Sequence, residues 1–159
     1  LNAPVQLDDI VLAEMLWASF KAIFSATAIL LVILSLGISH APTLIAVLPV
    51  LLLAGICFAS MALIFNALAS GYDFFTYYFT LFLTPTMFLS GVFFPQSQLP
   101  PLVRHVAEWL PLSQAVLLVR PLFLGEWPQQ AWLHLGVLAG TAVLSFWVAL
   151  ALTRRRFAR

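Results

Sequence analysis

Charge is scarce in this chain. Only 8% of its 159 residues are Asp, Glu, Lys or Arg, whereas 63% are hydrophobic, and the mean hydropathy is +1.05. That leaves too little polar surface to cover a water-soluble globule of this length, so the chain reads as an integral membrane protein. Cysteine is almost missing as well. Cys57 stands alone in an apolar run, which excludes an internal disulfide and any cysteine-rich metal site and marks it as a small packing residue. No Gly-x-x-x-x-Gly-Lys-Ser/Thr string is present to cradle phosphates with backbone amides, so the chain is not a nucleotide-binding subunit. An HExxH zinc motif and paired intramembrane aspartates are also missing. A nucleophilic Ser90 would need a base at its own depth, but none of His40, His105 and His134 falls in an apolar core beside it, His134 being near the outer end of its helix. Enzyme chemistry is thereby set aside, and the three histidines are assigned to interface or packing roles.

What the sequence does have is four apolar stretches, each able to cross roughly 30 Å of hydrocarbon, a task for about 20 helical residues. They are expected at about 22–38, 43–69, 72–94 and 131–152, giving an all-α membrane fold. A more polar helical stretch, residues 8–21, precedes the first and ends at Lys21, whose ammonium can snorkel outward. The third carries Pro85, expected to kink it. The fourth stops at Arg154, Arg155 and Arg156, which with Arg159 make a basic tail. Such a tail beside a membrane helix places it in the cytoplasm. Four crossings then put residues 1–21 inside too, with Ser39 to Pro42 outside and Asn66 to Asp73 inside.

The segment 95–128 is left outside. Arg104, Glu108 and Arg120 interrupt it, and Pro100, Pro101, Pro111, Pro121 and Pro128 divide it. Two short interfacial or re-entrant helices, at about 102–110 and 112–124, fit this pattern, with Trp109, Trp127 and Trp132 in the aromatic belt. Irregular backbone at that depth requires protein cover. Arg104 and Glu108, four apart, suit a surface ion pair or a charged head group. No repeat, low-complexity tract or linker divides the chain, so residues 1–159 are one membrane domain. The opening at leucine and the loop-like Leu1 to Asp9 are those of a chain truncated at its N-terminus, and no signal-peptide pattern is present.

Several polar positions carry two readings. Tyr72, Thr76, Thr80, Thr84, Pro85 and Ser90 recur near helical spacing and suit a cavity meeting sugar hydroxyls; equally, such hydroxyls bond their own helix or a neighbour. Asn66 and Asp73 bracket a tight turn and suit turn capping. The aromatic group of Tyr72, Phe74, Phe75, Tyr77, Tyr78 and Phe79 suits stacking on a glycan or acyl chain, or plain anchoring at the inner interface. Gly136 and Gly140 have the G-x-x-x-G spacing of close helix contact, a spacing common by chance.

The string Phe88-Leu89-Ser90-Gly91-Val92-Phe93-Phe94-Pro95 resembles the end of the fifth membrane helix of ABC-2 type export permeases, which a short re-entrant region follows. Further landmarks occur in the order of that family: Pro4 to Ile10 with Glu14 and Trp17, Leu99-Pro100, Trp109 to Ser113, and Val119-Arg120-Pro121. Within the family the likeness is to the nodulation-factor, or lipo-oligosaccharide, export permeases, and it covers the whole chain. The first two membrane helices and the amphipathic segment before them depart from the pattern by their absence, so this chain alone is not expected to form a full translocation path.

The resemblance implies a multi-pass permease of the bacterial inner membrane that exports an amphipathic substrate, with drugs and polysaccharides as alternative cargoes. It implies two permease copies paired with a separate cytoplasmic ABC ATPase. ATP and Mg would be bound by that partner, no cofactor by this chain, and no nucleic acid is expected. It places ATPase coupling on Pro4, Val5, Gln6, Leu7, Asp8, Asp9 and Glu14, where the aspartates also suit simple helix capping. It places the outer re-entrant region around Gly91, Pro95, Arg104, Glu108 and Arg120. A scaffold subunit without transport activity is the alternative from another class.

Overall fold

The structure, a computed structural model, describes residues 7–69 and 71–157. The polar stretch and the first apolar segment form one continuous helix, α1 (Leu7–Ser35). It ends three residues earlier than the hydropathy suggests. Gly37 takes φ 67°, its N–H bonds the Leu34 carbonyl, and the Ile38 N–H bonds that of Ile33, each at 3.1 Å. This is the glycine-terminated reversal that satisfies the last carbonyls of a helix. A 3₁₀ turn, Pro42–Ala46, then leads into α2 (Val47–Leu68).

The third apolar segment is shorter and less regular than its hydropathy suggests. It consists of α3 (Asp73–Tyr77), a π-helical stretch (Tyr78–Leu83) and α4 (Thr84–Leu89), in unbroken succession. Its 17 residues rise about 25 Å, short of the full hydrocarbon thickness. Residues 90–94, expected to be helical, are turn and bend, because Gly91 leaves the helix at φ 82°. Nor is Pro85 a simple kink. A proline ring collides with the carbonyl four residues back, and the wider π turn immediately before it opens that space.

The outer segment folds as α5 (Pro101–Glu108) and α6 (Pro111–Phe123), bent 81° at their junction. Both begin on a proline, whose missing N–H costs nothing in a first turn. The last helix, α7 (Ala131–Phe157), runs on through the arginines instead of stopping before them. Arginine is a good helix former, and cations suit the negative end of the helix dipole. Every element among the described residues is thus helical, and three helices, or four if the bent α5–α6 pair counts as one, are long and apolar enough to cross a membrane.

The helix α2 is the centre of the bundle, between α1 and α7, with α6 covering its N-terminal half. Val47, Val50, Ala54 and Cys57 of α2 bury against Leu30, Leu118, Leu122, Leu138 and Ala142. The helices α1 and α2 meet at Gly55. A Cβ on Gly55 would lie 3.4 Å from the Ala22 Cβ and 3.5 Å from the Ser19 Cα. Small residues allow such contact where apolar burial supplies no force between helices. Only 11% of the most apolar stretch of α1, and 28% of those of α2 and α7, are buried. The remainder is an apolar exterior matched to lipid.

Candidate functional site

Side-chain bonds tie the helix ends together at both faces of the bundle. At one end lie the start of α1 and the finishes of α2 and α7. Arg154 approaches Asp8 side-on, its Nε donating to Oδ1 at 2.8 Å and its Nη2 to Oδ2. Two parallel charge-assisted bonds fix both angle and distance. Arg156 donates from Nη1 to the Asn66 carbonyl at 2.7 Å, adding a strong donor to an acceptor that otherwise has only a long bond from the Ala69 N–H at 3.3 Å. Leu7, Asp8, Asp9 and Glu14 all lie in the first turns of α1, with Glu14 exposed. Pro4, Val5 and Gln6 lie outside the described residues. Asp8, one of the coupling candidates, is thus also the residue that anchors α7.

At the other end, the loop entering α2 bonds the carbonyls that finish α6. Ser39 Oγ donates to the Phe123 carbonyl at 2.8 Å and Thr43 Oγ1 to that of Leu122 at 2.6 Å. Arg120 reaches from α6 to the Gly91 carbonyl at 2.7 Å, holding the exit of α4 against the re-entrant pair. Gly91 and Arg120 are therefore in direct contact. Arg104 and Glu108 pair on α5 at 3.0 Å, while Pro95 is an exposed residue of the connection to α5.

Beside these contacts a cavity of about 660 Å³ opens between α5, α6 and the beginning of α7. Gln114 forms its buried floor. Its Nε2 donates to the Glu108 carbonyl, which leaves Oε1 facing His134 Nδ1 at 2.5 Å. An acceptor there requires the proton on Nδ1. Sequence reasoning gave His134 only a packing or interface role and passed over Gln114 altogether. The two lie 20 positions apart in no motif, and only the fold of α6 back along α7 joins them.

The proposed pathway residues do not cluster around this cavity. Tyr72, Thr76, Thr80, Thr84 and Pro85 are exposed along the α3–α4 run, while Ser90 is buried and donates to the Met87 carbonyl at 2.8 Å. Thr84 Oγ1 donates to the Phe79 carbonyl at 2.9 Å, a bond to its own helix. The opposite side of the run packs on α2 through Phe65, whose ring centroid lies 4.3 Å from that of Tyr78 and 5.3 Å from that of Phe82. The aromatic group is therefore split: Phe74 and Tyr78 contact α2, and Tyr72 and Tyr77 point away. Gly136 and Gly140 have nothing within 4 Å of a built Cβ, so within one chain they make no close helix contact.

The family profile described as ABC-2 family transporter protein matches residues 3–151. The chain is similar to nodulation protein J of Sinorhizobium fredii, 44% identical over 98% of this chain and 60% of that protein. Its counterpart from Rhizobium meliloti is 43% identical over the same shares, and that from Bradyrhizobium diazoefficiens is 42% identical over 100% of this chain and 61% of that protein. The chain thus spans about three-fifths of the length of the curated relatives it matches. No solved structure matches.

Proposed function

Because the chain belongs to the ABC-2 family of transporter membrane proteins, we propose that it supplies membrane helices of an export permease that moves an amphipathic substrate out of the cytoplasm. The substrate class is a lipo-oligosaccharide or a related glycan–lipid. ATP, with Mg, is hydrolysed on a separate cytoplasmic ABC ATPase, and two permease copies complete the pathway in the bacterial inner membrane. The family match along residues 3–151 is the observation that carries this reading. The geometry agrees with it in two respects. The exposed hydroxyl stripe from Tyr72 to Thr84 is polar surface on an otherwise apolar bundle, which has most value facing a pathway or a second copy. The start of α1, with Asp9 and Glu14 beside Asp8, suits a docking helix whose movement would be passed to α7 through Arg154.

The test is reconstitution of the full-length protein with its cognate ATPase in sealed vesicles, following ATP-dependent movement of a fluorescent lipo-oligosaccharide. Transport that requires both proteins and stops when the ATPase cannot hydrolyse ATP is the expected result. A complex that forms and hydrolyses ATP with no movement of any amphipath would overturn the exporter reading.

A further inference from the structure

We propose that the cavity between α5, α6 and the start of α7 is a binding site for a neutral saccharide, which holds the sugar portion of the cargo at the outer mouth of the permease. The site deepens the exporter reading and rests on it for its place in transport, whereas binding itself depends only on these residues. Its volume of about 660 Å³ lies within the roughly 300–1,000 Å³ of small-molecule sites, with room for several sugar rings.

The lining has the chemistry a sugar requires. A pyranose offers apolar C–H faces and a rim of hydroxyls that both donate and accept. Trp109 and Trp127 line the cavity and are 70% and 73% exposed, so their indole faces are available for stacking. Gln129, Gln130 and Glu126 bring planar polar groups to the same wall. His134 bonds Gln114 through Nδ1, so its second ring nitrogen, Nε2, remains for a sugar hydroxyl. Arg104 and Glu108 neutralise each other, so the cavity keeps no unpaired cation to recruit an anionic head group.

Gln130 supplies an independent sign of function. Its φ is 56°, the left-handed region, and it is the non-glycine residue found there among those described. Glycine would suit that backbone better. A side chain at a position that disfavours side chains points to work done by its carboxamide.

The experiment uses the full-length protein in lipid nanodiscs, free of sugar-based detergent. Tryptophan fluorescence is titrated with cellotetraose and its N-acetylated counterpart, and with tetragalacturonate as an anionic contrast. Saturable binding of a neutral tetrasaccharide is expected, weakened about tenfold or more in Trp127→Ala and in Gln130→Gly, a factor that measures one lost polar or stacking contact. Gln130→Gly should unfold no more easily than the parent, because it relieves the backbone. Absence of saturable binding, tighter binding of the uronate, or unchanged affinity in both variants would overturn the proposal. Binding lost in Gln130→Gly but without ATP-driven export in the parent would sink the exporter reading and leave the site standing; export without saccharide binding would do the reverse.

Discussion

Asp8 and Arg154, 146 positions apart in the sequence, are joined by two hydrogen bonds that fasten the beginning of α1 to the end of α7. Arg156, two residues further on, fastens α7 to the end of α2. Three helices that enclose the core are therefore tied at one end by two arginines of a single turn. The same arginines that argue for a cytoplasmic terminus by their charge also organise the packing of that end.

The first prediction concerns this pair. Arg154→Glu places two carboxylates together, and Asp8→Arg two guanidiniums; each should loosen α1 from α7 and lower the thermal midpoint of the purified protein. The exchanged double variant should recover most of the loss. Both partners reach solvent, so the effect should be small and shrink as salt is raised. A double variant no more stable than the sum of the singles would show that the pair contributes no coupling.

The second concerns the opposite end. Thr43→Val removes the hydroxyl that joins the start of α2 to the Leu122 carbonyl and should cost about 1 kcal/mol, the net worth of one hydrogen bond, since that carbonyl keeps its backbone bond from Gly125. Thr43→Ser keeps the bond and should cost less. Denaturant unfolding of the two variants checks the difference, and a larger loss in Thr43→Ser would mean that the methyl contact, not the hydrogen bond, holds α6 in place.

Much of the fold was legible in the sequence for simple physical reasons. Apolar runs long enough to cross a bilayer stand out against 8% charge, and the prolines at 101 and 111 announced the two short outer helices. Other features lay beyond local pattern. The end of α1 at Gly37 is one, because an apolar run does not tell where its last carbonyls turn back. The π stretch before Pro85 is a collective response of the helix to a missing N–H, and proline alone signals only some disturbance there. Among the candidate site residues, the Arg104–Glu108 spacing was readable because it is local, whereas Arg120–Gly91 and Gln114–His134 exist only through the tertiary placement of α6. Glycines show the limit best. Gly136 and Gly140 have the familiar spacing yet face outward, while Gly55, which the G-x-x-x-G pattern does not single out, packs directly against α1.

That contrast gives the third prediction. Gly55→Leu should drive α1 and α2 apart, since its Cβ would already be in van der Waals contact with the Ala22 Cβ at 3.4 Å and the atoms beyond it have no room, and larger groups forced into a packed core typically cost about 1–3 kcal/mol. Gly140→Leu meets open space and should leave the monomer's stability unchanged. If Gly140→Leu nevertheless abolishes assembly of two permease copies, as read by crosslinking in membranes, α7 forms part of their contact. Equal destabilisation by both substitutions would contradict the packing described for α1 and α2.

The fourth prediction turns on Pro85. Replacing it with alanine restores an N–H that can bond four residues back, so the π stretch Tyr78–Leu83 can return to an ordinary α-helix. The protein should become more stable, because an interior proline costs about 3 kcal/mol or more and its removal recovers part of that. Regularising the helix also rotates what precedes it: one residue of register is roughly 100° around the axis, enough to swing Thr76 away from the face shared with Thr84. Export should therefore fall in Pro85→Ala even as the thermal midpoint rises. Thiol labelling of Thr76→Cys and Thr84→Cys from the aqueous side reads the register directly: both should react in the assembled transporter with Pro85, and only Thr84→Cys without it. Export and labelling that survive Pro85→Ala unchanged would show that the alignment of the hydroxyl stripe is incidental to transport.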